Sequence, residues 1–227
     1  MTLRLYFHPF SSYCQVVLTA LYERDVPFEA QHVDLGDAAQ RAALEALWPM
    51  VKFPVLRDEA ADVTLAEASL IVEYLDRFGQ APPLVPADRD EALRVRLWDR
   101  VFDLYVDQQL QKVVGDRLRP QEARDPFGVE EAKARIRRAY AMADAELAQT
   151  GGPSMAGDAF TLADCAAAPA LFYANIVAPL AGHRHLEGYF ERLLARPSFA
   201  RAVQEARPWR PLFPLGWPEG YPDRQPQ

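Results

Sequence analysis

The sequence predicts an α/β domain followed by an all-α domain. Three observations carry this reading: strand-like and helix-like segments alternate early in the chain, a proline-rich break follows, and beyond it apolar residues recur at three- and four-residue spacing. The organisation expected is a first domain at residues 1–80, a linker at 81–88 and a helical domain at 89–227. A chain of 227 residues has room for two such units.

Leu3 to Phe7 reads as a strand bounded by Pro9, and Ser11 and Ser12 precede a helical stretch from about Tyr13 to Arg24, closed by Pro27. Phe28 to Leu35 predicts a second strand with Phe28, Ala30 and His32 alternating. Ala38 to Leu47 reads as a helix, Phe53 to Arg57 as a third strand, and a fourth near Val63 leads into a helix from about Ala66 to Phe78. This β-α-β-α-β-β-α order describes a small sheet flanked by helices.

Pro82, Pro83 and Pro86 break the chain between Gly79 and Asp88 into an extended connector. Leu93, Leu97, Val101 and Leu104 then form a helical stripe, widened by Trp98, Phe102 and Tyr105 and expected to pack on more than one neighbour. Further helices are expected at Val129 to Gln149, Leu162 to Phe172 and Leu186 to Ala195. The tail spaces Trp209, Phe213, Trp217 and Tyr221 four apart, but five interleaved prolines forbid an α-helix there. An extended arm with its aromatics packed on the body is expected.

With 32 acidic against 25 basic residues, the net charge of −7 argues against a nucleic-acid partner. Two cysteines, Cys14 and Cys165, are too few for a disulfide framework and point to a reduced, cytoplasmic setting. Met1 to Arg4 opens no signal-peptide pattern, and no stretch reaches the ~18 apolar residues of a membrane span. His183 and His185 share a loop without a cysteine or clear acidic partner, so no metal site is expected.

Three segments carry chemistry. Phe10-Ser11-Ser12-Tyr13-Cys14 lies at a strand-to-helix turn, where unpaired backbone N–H groups favour an anion such as a thiolate; Ser11 or Ser12 is equally a helix cap, and Cys14 reads as a small buried apolar residue. Lys52-Phe53-Pro54-Val55-Leu56 has a proline entering a strand. A cis Phe53-Pro54 bond explains it and turns the Phe53 backbone toward an extended peptide ligand, while a trans edge-strand proline explains it too. In Thr64-Leu65-Ala66-Glu67-Ala68-Ser69, Thr64 and Glu67 have capping-box spacing, and Glu67 with Ser69 also suits an α-amino acid end.

In this order the three segments resemble the amino-terminal domain of the glutathione transferases. The resemblance continues through Trp48 to Leu56, through Glu67-Ala68-Ser69 before Glu73-Tyr74-Leu75, and at Gly157-Asp158-Ala159-Phe160-Thr161-Leu162-Ala163-Asp164, similar to the family's buried capping box and staple. It spans Leu3 to about Arg196 and implies a thioredoxin-like N-terminal domain with an all-helical C-terminal domain, assembled as a cytoplasmic homodimer. It further implies glutathione as co-substrate and a small electrophile, apolar or aromatic, as the second substrate, in a detoxifying conjugation.

Carried onto this chain, the resemblance gives Ser11 the thiol-activating role of serine-type members, with Ser12 beside it and Tyr6 near the tyrosine-type position. Glu67, Ala68 and Ser69 would hold the γ-glutamyl end, Phe53 next to Pro54 the cysteinyl unit, and Lys52 the glycyl carboxylate. Phe10, Tyr13, Tyr105 and Gln109 would line the electrophile site. Ala68 stands where many members carry Ser, and Trp48 and Val51 where Asn and Gly are common. These departures favour the rival reading of a non-catalytic, transferase-like binding or scaffold protein. Ser11-Ser12-Tyr13-Cys14 also resembles a glutaredoxin motif lacking its first cysteine, which frames a third reading, a glutathione-dependent thiol-disulfide reductase using Cys14.

Overall fold

The computed structural model describes residues 2–79 and 81–222. Strand β1 (Leu3–Phe7) lies inside the sheet and buries Leu3, Leu5 and Phe7 on one face. It pairs in parallel with β2 (Glu29–His32) and antiparallel with β3 (Val55–Asp58), which pairs antiparallel with β4 (Val63–Ala66), giving the order β2-β1-β3-β4. The parallel pair requires a crossover, which α1 (Ser12–Glu23) supplies. β2 is shorter than the sequence predicts and exposed throughout, because an edge strand with one neighbour buries little.

α1 ends before Pro27. Asp25 takes φ +50 and lets the Val26 N–H reach the Leu21 carbonyl at 3.0 Å, a left-handed stop that Asp tolerates. Next to it the buried Arg24 guanidinium donates to the carbonyls of Phe78 (2.6 Å), Ala81 (3.0 Å) and Pro82 and faces Asp76 at 3.4 Å. The Asp76 carboxylate accepts the N–H groups of Leu84 (2.8 Å) and Val85 (2.9 Å), so this ion pair fixes the proline-rich connector.

On the opposite face of the sheet, α2 (Ala38–Leu47) is capped by Asp37 and closes a small cluster of Val33, Leu44 and Val55. α3 (Ala68–Leu75) follows β4. Thr64 is not its cap: it lies in β4 opposite Arg57, whose Nη1 donates to the Thr64 hydroxyl at 3.2 Å, and Glu67 makes no side-chain cap bond. The expected capping box there does not form because strand pairing claims its first residue.

The helical part comprises α4 (Arg89–Phe102), α5 (Gln108–Leu118), α6 (Pro126–Thr150), α7 (Leu162–Val177), α8 (Arg184–Ala195) and α9 (Pro197–Ala206). A π-turn at Asp103–Asp107 joins α4 to α5. Of the face expected along α4, Val101, Trp98 and Phe102 are buried, but Leu93 and Leu97 are 68% and 54% exposed, and Ala92 and Val95 are buried in their place. The buried face is centred on the bulky rings of Trp98 and Phe102. α9 lies beyond the helices the sequence predicts; Pro197 stands in its first turn, where its missing N–H costs nothing.

One apolar core runs from Leu5 and Leu18 through Trp98 and Phe172 to Phe199 and Phe213. The tail packs on it, as expected, but begins as a 3-10 turn at Arg207–Leu212 rather than an extended arm. Pro208 opens that turn and Pro211 lies within it. Trp217 and Tyr221 meet Phe172 at ring distances of 5.7 and 5.3 Å, and the Tyr221 hydroxyl donates to the Phe172 carbonyl at 2.5 Å.

Candidate active site

The turn between β1 and α1 separates two adjacent serines by role. Ser11 is the N-cap of α1, and its Oγ accepts the Cys14 N–H at 3.3 Å. Ser12 is buried; its hydroxyl donates to Asp107 Oδ1 at 3.0 Å and accepts from Gln111 Nε2 at 3.2 Å, which itself donates to Asp107 at 3.0 Å. This closed triangle ties the first turn of α1 to α5 and occupies the Ser12 proton. Tyr6 packs with Val33, Leu44 and Val55 on the α2 side of the sheet and is not among the residues lining the Ser11 cleft.

Ser11 opens into a cleft of about 590 Å³ between the sheet and the helices. His8, Phe10, Lys52 and Phe53 line one wall; Gln108, Gln111 and Val114 of α5 line another; Tyr173 and Phe213 close it. A hollow of about 240 Å³ shares Tyr13, Lys52, Phe53 and Gln108 with this cleft and adds Pro54, Glu67 and Ala68. A third, of about 380 Å³, holds Glu67, Ala68 and Ser69 against Asp99 and Asp103.

Backbone geometry along this trough is unusual. The Phe53-Pro54 bond is cis, Val51 takes φ +52 and Glu67 φ +69. Positive φ is disfavoured for a β-branched residue, and such outliers concentrate where structure serves a site. The sequence-predicted residues Phe10, Ser11, Ser12, Tyr13, Lys52, Phe53, Pro54, Glu67, Ala68 and Ser69 all line one or another of these connected hollows.

Tyr105 and Gln109 do not. Tyr105 is 52% exposed, and Gln109 is buried with its amide donating to the Leu104 carbonyl at 2.9 Å. The π-turn inserts an extra residue into the helical repeat, so the face entering the cleft is Gln108, Gln111 and Val114 instead. These three share the i, i+3, i+6 spacing of one helix face, a signal readable only once the register is known. Tyr173 was likewise missed as a lining residue, while Phe213 brings the aromatic tail to the cleft.

Burial sets the electrostatics. Asp107 and Asp99 are both pushed up to about 6, the latter despite the Ser69 hydroxyl donating to it at 2.8 Å. Asp103 accepts the Tyr13 hydroxyl at 3.2 Å. Burial also holds His8 below the usual imidazole value, and its Nδ1 accepts the Phe10 N–H at 3.2 Å, which assigns the proton of the neutral ring to Nε2. Cys14 is fully buried, with its thiol pushed up to about 12. Among the described residues no helix is long and apolar enough to cross a membrane, and no group of three or more potential metal ligands gathers.

A thioredoxin-like sheet with a cis-proline turn facing a capped helix N-terminus, backed by a helical domain across a ligand-sized cleft, defines a two-domain protein of the thioredoxin-fold transferase type. Residues 5–83 match the glutathione S-transferase N-terminal domain family and residues 126–192 the C-terminal domain family. The chain is 27% identical to a glutathione S-transferase of Silene vulgaris, covering 89% of this chain and 97% of that one. It is 31% identical to glutathione S-transferase 3 of Zea mays, covering 88% and 93% respectively. A glutathione S-transferase of Methylobacterium radiotolerans, solved in complex with glutathione sulfonate, superposes with a TM-score of 0.78 at 27% identity over 99% of each chain. The chain belongs to the glutathione S-transferase family of enzymes.

Proposed function

We propose that this enzyme ionises glutathione beside Ser11 and transfers the thiolate to a small apolar or aromatic electrophile. The observation that carries the assignment is the contrast between the serines: Ser12 is buried and spends its proton on Asp107, whereas Ser11 caps α1 and lines the cleft without a carboxylate partner. A free thiol has a pKa of ~8.5, and ionising it at neutral pH requires about 2.7 kcal/mol. A hydrogen bond to a charged partner supplies about 1.5–3 kcal/mol and a helix N-terminus ~0.3–1 kcal/mol, so no general base is needed. The thiol proton leaves to solvent, the sulfur lone pair forms the new S–C bond, and the leaving group departs with the bonding pair.

Under this reading glutathione lies along the connected hollows, with its cysteinyl unit at Phe53 and Pro54, its glycyl carboxylate toward Lys52 and its γ-glutamyl end at Glu67. Since the Ser69 hydroxyl donates to Asp99, the γ-glutamyl carboxylate would rely on the N–H groups at Ala68 and Ser69, the free donors of the first turn of α3. The aromatic lining from Phe10, Tyr173 and Phe213 favours a flat or apolar electrophile, and removing such compounds is a detoxifying role suited to the cytoplasm. The reductase reading loses its nucleophile, because Cys14 is inaccessible and its thiol is stabilised as the neutral form.

The test is the ultraviolet thiolate band of bound glutathione followed with pH. Ser11→Ala is expected to return the bound thiol toward ~8.5 and to lower turnover by ~10²-fold, as loss of ~2.7 kcal/mol implies. Tyr6→Phe is expected to change neither. The reverse pattern overturns the assignment to Ser11, and no glutathione binding at several millimolar favours the scaffold reading.

A further inference from the structure

We propose that Gln15 is a positioning residue for thiol activation, coupling the aromatic wall of the electrophile cleft on α7 to the turn that carries Ser11. The inference rests on the assignment of that activation to Ser11. Gln15 grips the segment ahead of it twice. Its backbone N–H donates to the Ser11 carbonyl at 2.9 Å, and its side-chain Nε2 donates to the Pro9 carbonyl at 3.0 Å. Two further main-chain groups of the turn close on His8: the Phe10 N–H donates to His8 Nδ1 at 3.2 Å, and the Ser11 N–H to the His8 carbonyl at 3.0 Å. The Pro9–Phe10 peptide is thus held at both ends, its carbonyl by Gln15 and its N–H by His8. Ser11 follows directly, in extended backbone at φ −78 and ψ 126, where it lines the cleft.

The surroundings of this side chain call for a neutral double donor. Gln15 is fully buried, and its amide nitrogen donates to the Tyr173 hydroxyl at 2.9 Å as well as to Pro9. A carbonyl oxygen only accepts, so the contact with Pro9 fixes the amide with its nitrogen toward the turn. The opposite end, Oε1, is buried with no hydrogen-bond partner among the described residues. An unpaired acceptor in the core is unfavourable, and an apolar side chain of similar size would avoid it; the two donations are what the amide adds. Tyr173 acts on both sides of this contact. Its ring lines the cleft and stands edge-on to Phe10 at 5.4 Å, while its hydroxyl braces Gln15. An electrophile resting on the Tyr173 ring therefore lies against the side chain that steadies the thiol-activating turn. Stabilisation of a developing anion depends on close placement of the donor, so a loosened turn weakens the Ser11 bond to sulfur more than it weakens binding of glutathione along the whole trough.

The test titrates the ultraviolet thiolate band of bound glutathione in the full chain and follows turnover of chlorodinitrobenzene over the same pH range. Gln15→Met removes both donors at nearly constant volume. It is expected to raise the pKa of the bound thiol by about half a unit or more, which lowers turnover ~3-fold near pH 6.5 and leaves it close to wild type near pH 9. The KM for glutathione is expected to stay within about twofold. Tyr173→Phe keeps the ring, deletes the brace and is expected to give a smaller shift of the same sign; it carries the test if Gln15→Met does not fold. In a Ser11→Ala background, Gln15→Met is expected to add no further shift. An unchanged thiol pKa in the folded variants, a fall in turnover equal at every pH, or a Gln15→Met shift that persists in full without Ser11 overturns the proposal. Ser11→Ala alone decides which hydroxyl activates the thiol, and the effect of Gln15→Met with and without Ser11 decides the role of Gln15, so the two failures are told apart.

Discussion

Asp107 carries a cost in the folded protein. Its carboxylate fixes Ser12 and Gln111, yet burial pushes its pKa up to about 6 from an ordinary value of ~3.9. Between those values the folded state keeps a proton that the unfolded state has lost, so stability falls as pH rises through that window. Asp99, also pushed up to about 6, adds to the same slope. Asp107→Asn removes the buried charge and retains an oxygen acceptor for Ser12. Thermal melts of this variant are expected to show a higher Tm than wild type at pH 7.5 and a shallower loss between pH 4 and 6. A lower Tm at pH 7.5 would mean that the charge-assisted bonds outweigh desolvation. A serine cap at Ser11 or Ser12 was legible in the sequence, because a hydroxyl before a helix is a local signal. Choosing between Ser11 and Ser12 was not, since the choice depends on an aspartate 95 residues away along the chain.

At the scale of elements, local patterns were readable wherever the next turn of chain settles them. The Thr161–Asp164 capping box forms as the spacing implies: Asp164 Oδ2 accepts the Thr161 N–H at 2.8 Å and its hydroxyl at 3.1 Å. Its other oxygen accepts the Met155 N–H at 2.9 Å and the Tyr189 hydroxyl at 2.6 Å, so one buried carboxylate also joins α7 to α8. Asp164→Ala orphans these donors and is expected to cost at least about 2 kcal/mol, read as a lower urea midpoint with an unchanged slope. Thr64 and Glu67 offer the same spacing and form no cap, because pairing between β3 and β4 intervenes. The π-turn has no residue-type signature of its own. It goes with burial of Val106 and Asp107 among distant helices, and it leaves Tyr105 exposed and Gln109 buried outside the cleft.

For the whole molecule, the order of sheet and helices was legible because it follows from periodicity and proline placement. The single core joining them was not, since no local pattern shows that Phe213 packs with Phe10 and Tyr173. The same blindness applies to surfaces that meet another chain. Leu70 on α3 and Leu93 and Leu97 on α4 are all more than half exposed, on two helices tied together by Arg96 donating to Glu73 at 2.9 and 2.8 Å. Apolar residues left outside on adjacent helices fit the homodimer implied by the family likeness. Sedimentation of the wild-type protein is therefore expected to report twice the 25.6 kDa chain at micromolar concentration. Leu93→Asp with Leu97→Asp places two charges where a dimer would bury them and is expected to give a monomer with intact circular dichroism. A wild-type monomer would refute the dimer; a dimer that survives both substitutions would move its interface away from α4.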